Sequence, residues 1–150
     1  MTEVGAFCWY DNDQLSNAKY GALYNWFAVN DNRGLCPAGW RVPNETDWVT
    51  LKSYLGGYLV SGGKMKSVSS LWSSPNADAT NISGFSALPA GCRKSSCEFL
   101  YKGDSGFWWS STEFSGTFSH SRQVEWDEAE LIHYYSYEKH HGFSVRCVRE

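Results

Sequence analysis

Three features of this 150-residue sequence predict an α+β fold. Helical period is confined to the first third, short strand-like runs with Gly and Asp turns fill the last part, and no repeat or low-complexity tract interrupts them. The length predicts one domain over residues 1–150, long enough to bury a core without metal or many staples.

Taken in order, Asn17 to Asn30 places Tyr20, Leu23, Tyr24 and Phe27 at i, i+3, i+4 and i+7, which predicts a first helix with one apolar face. Ser16 or Asn17 can cap it, and Asn30-Asp31-Asn32-Arg33-Gly34 ends it. A second helix is predicted from Asn44, whose side chain can accept from the backbone three residues on while Asp47 reaches back. It would bury Trp48, Leu51 and Leu55 and stop at Gly56-Gly57. Tyr58 to Ile82, rich in Gly, Ser and Asn, is expected to be an irregular excursion anchored by Met65 and Trp72. Strands are expected within Phe85 to Cys92, Glu98 to Tyr101, Phe107 to Ser111, Ser119 to Trp126, Glu130 to Ser136 and Phe143 to Arg149, with turns at Gly103, Asp104, Gly106 and Gly142.

Composition excludes several classes. A content of 42% hydrophobic and 19% charged residues is globular, but 17% aromatic with eight Trp asks for a role beyond core filling. The net charge is -3 with scattered Lys and Arg, so nucleic acid is not expected as a partner. No apolar run approaches the roughly 20 residues needed to cross a bilayer, so direct membrane insertion is not expected. The N-terminus lacks the basic and apolar regions of a signal peptide; either the chain is not exported that way or it is a domain of something larger. GxSxG, HExxH, the P-loop and a GxGxxG after a strand are absent, and no enzyme is expected.

Five cysteines leave alternatives open. Cys36 and Cys147, far apart beside core-like residues, can close a long loop; Cys92 and Cys97 flank a polar turn and can form a hairpin clip; or all five are reduced. No CxxC is present, so structural zinc is not expected.

All four histidines, His120, His133, His140 and His141, fall in Phe114 to His141, between the strand-like flanks Gly106 to Ser111 and Gly142 to Arg149. A recognition surface held between fixed walls is the natural reading. A metal site is not expected: His140 and His141 would point to opposite faces of an extended chain, and no Cys or acid stands at an established ligand spacing. Tyr134, Tyr135 and Tyr137 offer large rigid contact area with a hydrogen-bonding tip, against the alternative that alternate members pack inward. Alternation puts Leu131, His133 and Tyr135 on one face and Ile132 with Tyr134 on the other. Of Trp108 and Trp109, adjacent on a strand, at most one can be exposed to stack on a sugar.

More specific motifs complete the picture. TyrGlyAlaLeuTyrAsnTrp at 20–26, LeuCysProAlaGlyTrpArgValPro at 35–43, GlyPheSerAlaLeuProAlaGly at 84–91, PheTrpTrpSerSerThrGlu at 107–113 and GlyPheSerValArgCysValArg at 142–149 resemble the Fibrobacter succinogenes major paralogous domain, in its order and over nearly the whole chain. The resemblance implies a C-type lectin-like fold related to the formylglycine-generating enzymes: paired N- and C-terminal strands, two helices, small antiparallel sheets and long irregular loops. It places Cys36 near Cys147 and both tryptophans in the scaffold, and leaves Cys92 and Cys97 outside the matched positions. A reactive cysteine pair of the oxidase kind is disfavoured by their turn context, and Cys8 with a histidine is the remaining thiol reading.

Domains of this kind also serve as variable proteins of diversity-generating retroelements, in which adenine miscopying turns AAY codons into Tyr, His, Ser, Asp, Phe, Gly or Thr, but not Trp, Gln, Glu, Lys or Met. Residues 114–121, Asp127, 133–137, His140 and His141 fall in the permitted set; Gln123, Glu125, Trp126, Glu128, Glu130, Glu138 and Lys139 do not. Phe118, His120, Asp127, His133, Tyr134, Tyr135, Tyr137, His140 and His141 are therefore the expected ligand-binding residues. The partner expected is a protein or glycan on a cell surface, the location a virion or cell surface, and the alternative a fixed-specificity adhesion or carbohydrate-binding domain of the same family. No cofactor is expected. Calcium in particular lacks support, since Ser74-Pro75-Asn76 and Trp126-Asp127-Glu128 lack the paired oxygen donors of lectin calcium sites.

Overall fold

A computed structural model describes residues 3–150, with residues 135 and 136 described by their backbone only. In chain order it comprises β1 (Phe7–Cys8), α1 (Gln14–Asn17), β2 (Leu23–Tyr24), α2 (Trp26–Val29), β3 (Trp40–Arg41), α3 (Glu45–Tyr54), α4 (Tyr58–Met65), β4 (Ala90–Arg93), β5 (Phe99–Lys102), β6 (Ser105–Glu113), β7 (Phe118–Glu125), β8 (Ile132–Glu138) and β9 (Val148–Arg149). Short helices precede a five-stranded sheet ordered β5-β4-β6-β7-β8, so the fold is α+β. The sheet is antiparallel apart from one parallel contact, Gly91 beside Gly106.

Both faces of this sheet are covered, because β6 alternates large rings. Trp108 faces α3 and α4 and packs with Trp48, Leu55, Met65, Trp72, Val124 and Leu131; Phe107 and Trp109 face the other way onto Trp26, Val42, Cys92 and Phe143. Both tryptophans are buried, and their position is that of scaffold. The buried indoles are also satisfied at their polar ends: Trp109 Nε1 donates to the Tyr24 carbonyl at 2.8 Å and Trp26 Nε1 to that of Ser110 at 2.9 Å.

α3 starts where its capping box requires. The Asn44 side chain accepts from the Asp47 N–H, and the Asp47 carboxylate accepts from that of Asn44. The expected first helix, in contrast, is broken. Gly21 at φ +84° diverts the chain, Leu23 and Tyr24 pair with Cys8 and Phe7, and Asn25 caps a new turn. The four apolar residues at helical spacing are compatible with this arrangement too, since Leu23 and Tyr20 pack in one core cluster while Tyr24 meets Phe7 and Phe27 meets His140.

The region expected to be irregular contains α4. Its Gly62 and Gly63 lower intrinsic helix propensity, but tertiary packing demands them: a Cβ on Gly62 would lie 2.0 Å from the Glu130 carbonyl oxygen, and one on Gly63 2.6 Å from that of Asp78. The N- and C-terminal strands do not pair with each other; β1 pairs with β2, and β9 with β3. Of the strands expected at 85–92 and 143–149, only Ala90–Arg93 and Val148–Arg149 form; Ala87 makes a single bridge to Lys66, and Phe143 and Ser144 make single bridges to Tyr24 and Trp108.

Cys36 and Cys147 form a disulfide, with Cα atoms 5.9 Å apart, beside the β3–β9 pair. The expected Cys92–Cys97 clip is absent. Cys92 sits opposite Leu100 and turns into the core, whereas Cys97 lies exposed in the turn at φ +76°. Cys8, Cys92 and Cys97 are free thiols.

Candidate functional site

The hairpin of β6 and β7 and the edge strand β8 carry most of the nominated residues. Between Ser121 and Ser119 of β7, which pair with Tyr134 and Tyr137, β8 has two residues where β7 has only His120. Such a bulge resets the alternation. Tyr134 and Tyr137, three apart, thereby share a face and their rings meet edge-to-face at 5.3 Å.

The two faces differ in character. On the α3 face, His133 of β8 pairs with Arg122 of β7, and Arg122 is itself only 2% exposed. A buried guanidinium needs a carboxylate, and Glu45, the first residue of α3, supplies it. Arg122 donates through both terminal nitrogens to the two Glu45 oxygens, at 3.1 and 2.9 Å, and lies over the Trp48 ring. His133 Nε2 is 2.9 Å from Glu45 Oε2 and 3.2 Å from His120 Nδ1, which is 4.0 Å from the same oxygen. Phe114 packs edge-on against His120. A column of side chains thus runs from core to surface: Trp48, Arg122, Glu45, the two histidines and Phe114.

Electrostatics follow from this column. For Glu45, burial pushes the carboxyl pKa up, but the Arg122 hydrogen bond and charge, joined by His133, outweigh it and leave the carboxyl below its usual value. His133 is pushed down to about 4, first by burial and then by the Arg122 charge, against the pull of Glu45. Its imidazole is neutral at pH 7.

On the opposite face, Tyr137 is packed edge-on against Phe107 and Phe143, and burial raises its phenol pKa strongly. His141 packs at a tilt against Tyr137 and Phe143 and has its pKa lowered by burial. His140 packs edge-on against Phe27, with Nε2 buried and without a hydrogen-bond partner among the described residues. Tyr137, His140 and His141, expected at the ligand surface, are therefore half-buried wall residues. The bulge and the Phe143 bridge set this packing.

Of the other nominated residues, Tyr134 is 39% exposed, Phe118 is half-buried at the start of β7, and Asp127 is exposed just beyond the opposite end of β7. Asp127 is thus not brought together with His120 and His133. There the buried Lys66 ammonium donates to the Glu125 and Glu128 carbonyls at 2.8 Å each. The side chain of Tyr135 lies outside the described residues.

Within residues 114–141 the longest exposed run is the β6–β7 turn, Phe114 to Thr117, with Phe114 53% exposed. It is pinned from beneath. Lys139, almost fully buried over the Trp26 ring, donates to the Glu113 carboxylate and, at 3.0 Å, to the Gly116 carbonyl, while its backbone N–H donates to the Thr117 carbonyl. Ser115 Oγ accepts from the Phe118 N–H. Sequence reading missed Glu45. Arg122 carried a signal, since it alternates with Val124 on a core face and so required a buried acid, but nothing local identified that acid.

No helix among the described residues is long and apolar enough to cross a membrane. In comparison with known proteins, the family profile of the Fibrobacter succinogenes major domain matches residues 1–149. No curated protein and no solved structure matches the chain.

Proposed function

Because the chain belongs to the Fibrobacter succinogenes major domain family, we propose that it is a non-catalytic ligand-binding module of C-type lectin-like fold, displaying a variable surface as the diversified protein of a retroelement on a virion or cell surface. One observation carries the reading. An exposed turn, Phe114 to Thr117, and the exposed Tyr134 of β8 are mounted on a frame that includes the buried Trp109, Arg122, Lys139 and Phe143. Exposed positions 114–117 and 134 are Phe, Ser, Gly, Thr and Tyr, all within the set that adenine miscopying of AAY codons produces, whereas the buried Gln123 and Lys139 beneath or beside them are not. Aromatic and hydroxyl side chains on a pre-organised backbone bind proteins or glycans at low entropic cost.

A fixed-specificity adhesion domain of the same family is favoured by a different observation. His120, His133, Tyr137 and His141 are interlocked with their neighbours and less replaceable than a freely varying surface requires. Two experiments separate the readings. The first is sequencing the gene's surroundings: a reverse transcriptase beside a near-copy of the 3′ coding segment, differing only at adenines, supports the variable protein, and an invariant segment across isolates supports the adhesion domain. The second randomises positions 114, 115, 117 and 134 in a displayed library and selects on purified lysozyme as an arbitrary protein target. Recovery of folded binders supports the role of the surface. Failure to recover any from a library that remains folded refutes it.

A further inference from the structure

We propose that Glu45, His120 and His133 form a binding site for a divalent transition metal ion of the zinc class. The three ligand atoms, Glu45 Oε2, His120 Nδ1 and His133 Nε2, all lie within 4.8 Å of one another, with separations of 2.9, 3.2 and 4.0 Å. Tetrahedral ligands held about 2.0–2.1 Å from zinc are separated from each other by roughly 3.3 Å. The observed triangle brackets that value, so an ion can bond all three atoms with shifts of a few tenths of an ångström. Two imidazoles and one carboxylate are also a donor set suited to zinc, cobalt or nickel rather than calcium or magnesium.

The donors are pre-organised. Each comes from a different rigid element: Glu45 from the capped start of α3, His120 from β7 and His133 from β8. The Arg122 fork fixes the carboxylate plane from one side, an outer-shell arrangement that orients a ligand oxygen. A proton on His133 Nε2 can bridge to Glu45 and to His120; a metal ion replaces that bridge with bonds to all three. The His133 and Glu45 side chains are 25% and 21% exposed, so the donors are not sealed from solvent. Arg122 also opposes the ion by its charge and shares the Glu45 oxygen, so affinity is expected in the micromolar rather than the nanomolar range.

No CxxC or helical HExxH spacing announces such a site, because its acid stands 75 positions before His120 in the sequence. The test uses the intact, disulfide-bonded chain and zinc or cobalt chloride alone. Calorimetry is expected to give one zinc per chain, and cobalt the intense visible absorption of a four-coordinate ion with histidine ligands. His120→Ala and His133→Ala should each weaken zinc binding by at least about tenfold. His140→Ala/His141→Ala and Cys97→Ser should leave it unchanged. Since Glu45→Gln also disturbs Arg122, the histidine variants decide the matter. Absence of zinc binding at 100-fold excess over protein, or binding that survives in the His120→Ala/His133→Ala double variant, overturns the proposal.

Discussion

Replacing Glu45 by Ala removes the counter-charge of a guanidinium that is 2% exposed and lies over the Trp48 ring, while leaving that cation in place. Breaking a buried pair from one side typically costs 3–5 kcal/mol, because the remaining charge keeps its desolvation penalty without its partner. Glu45 itself is 21% exposed, so water can partly replace it, and the expected loss is about 3 kcal/mol. Arg122→Met together with Glu45→Ala removes both charges and leaves an apolar side chain over Trp48. The double variant is therefore expected to be more stable than Glu45→Ala alone by at least about 1 kcal/mol. Urea unfolding at pH 7 followed by tryptophan fluorescence reads both differences. A loss below about 1 kcal/mol for Glu45→Ala, or a double variant as unstable as the sum of the single ones, would show that Arg122 is solvated and that the column beneath the surface does not exist.

Replacing Cys36 and Cys147 by Ala, or reducing their bond, opens a loop with a sequence separation of 111, for which loop closure accounts for at most about 4–5 kcal/mol; a drop of 2–4 kcal/mol is expected in denaturant unfolding, and one under 1 kcal/mol would contradict it. A thiol titration should find three reactive groups after unfolding in the absence of reductant. In the native state exposed Cys97 should react fast and Cys92, whose thiol burial pushes up to about 11, slowly; finding a single group after unfolding would restore the Cys92–Cys97 clip. His133 and His141 both have folded-state pKa values depressed below the ordinary 6.5, so the unfolded chain binds more protons on acidification. Stability should therefore fall from about pH 6.5 down to about 4, where His133 titrates, by about 2 kcal/mol; a flat profile over that window would contradict their burial. Glu45, held below its ordinary value, keeps its contribution down to about pH 4.5 and loses it progressively as the pH falls further, adding to the decline at the acid end of that window.

Legibility in the sequence divided along physical lines. The capping box at Asn44 and Asp47 could be read because both partners lie within one turn, and β6 and β7 because their alternation is long and unbroken. The first helix failed at Gly21, where a positive φ converts a helical apolar period into two short pieces, and α4 was hidden because its two glycines answer to the Glu130 and Asp78 backbones rather than to helix propensity. At the site, composition pointed to the stretch 114–141 but not to its two faces. The bulge opposite His120 sets which tyrosines turn inward, and a bulge has no signature in residue types alone. The acid that joins the histidines comes from α3, so Glu45 could not be found by spacing.

Separation of a replaceable surface from an irreplaceable frame is measured directly by protease challenge of two displayed libraries. In one, positions 114, 115, 117 and 134 are randomised; in the other, Trp109, Arg122 and Phe143. Most clones of the first library should resist cleavage as the parent does, while few of the second should, since large-to-small changes at the buried Trp109 and Phe143 rings cost about 3–5 kcal/mol each and loss of Arg122 strands the Glu45 carboxylate. Equal survival of the two libraries would contradict the separation.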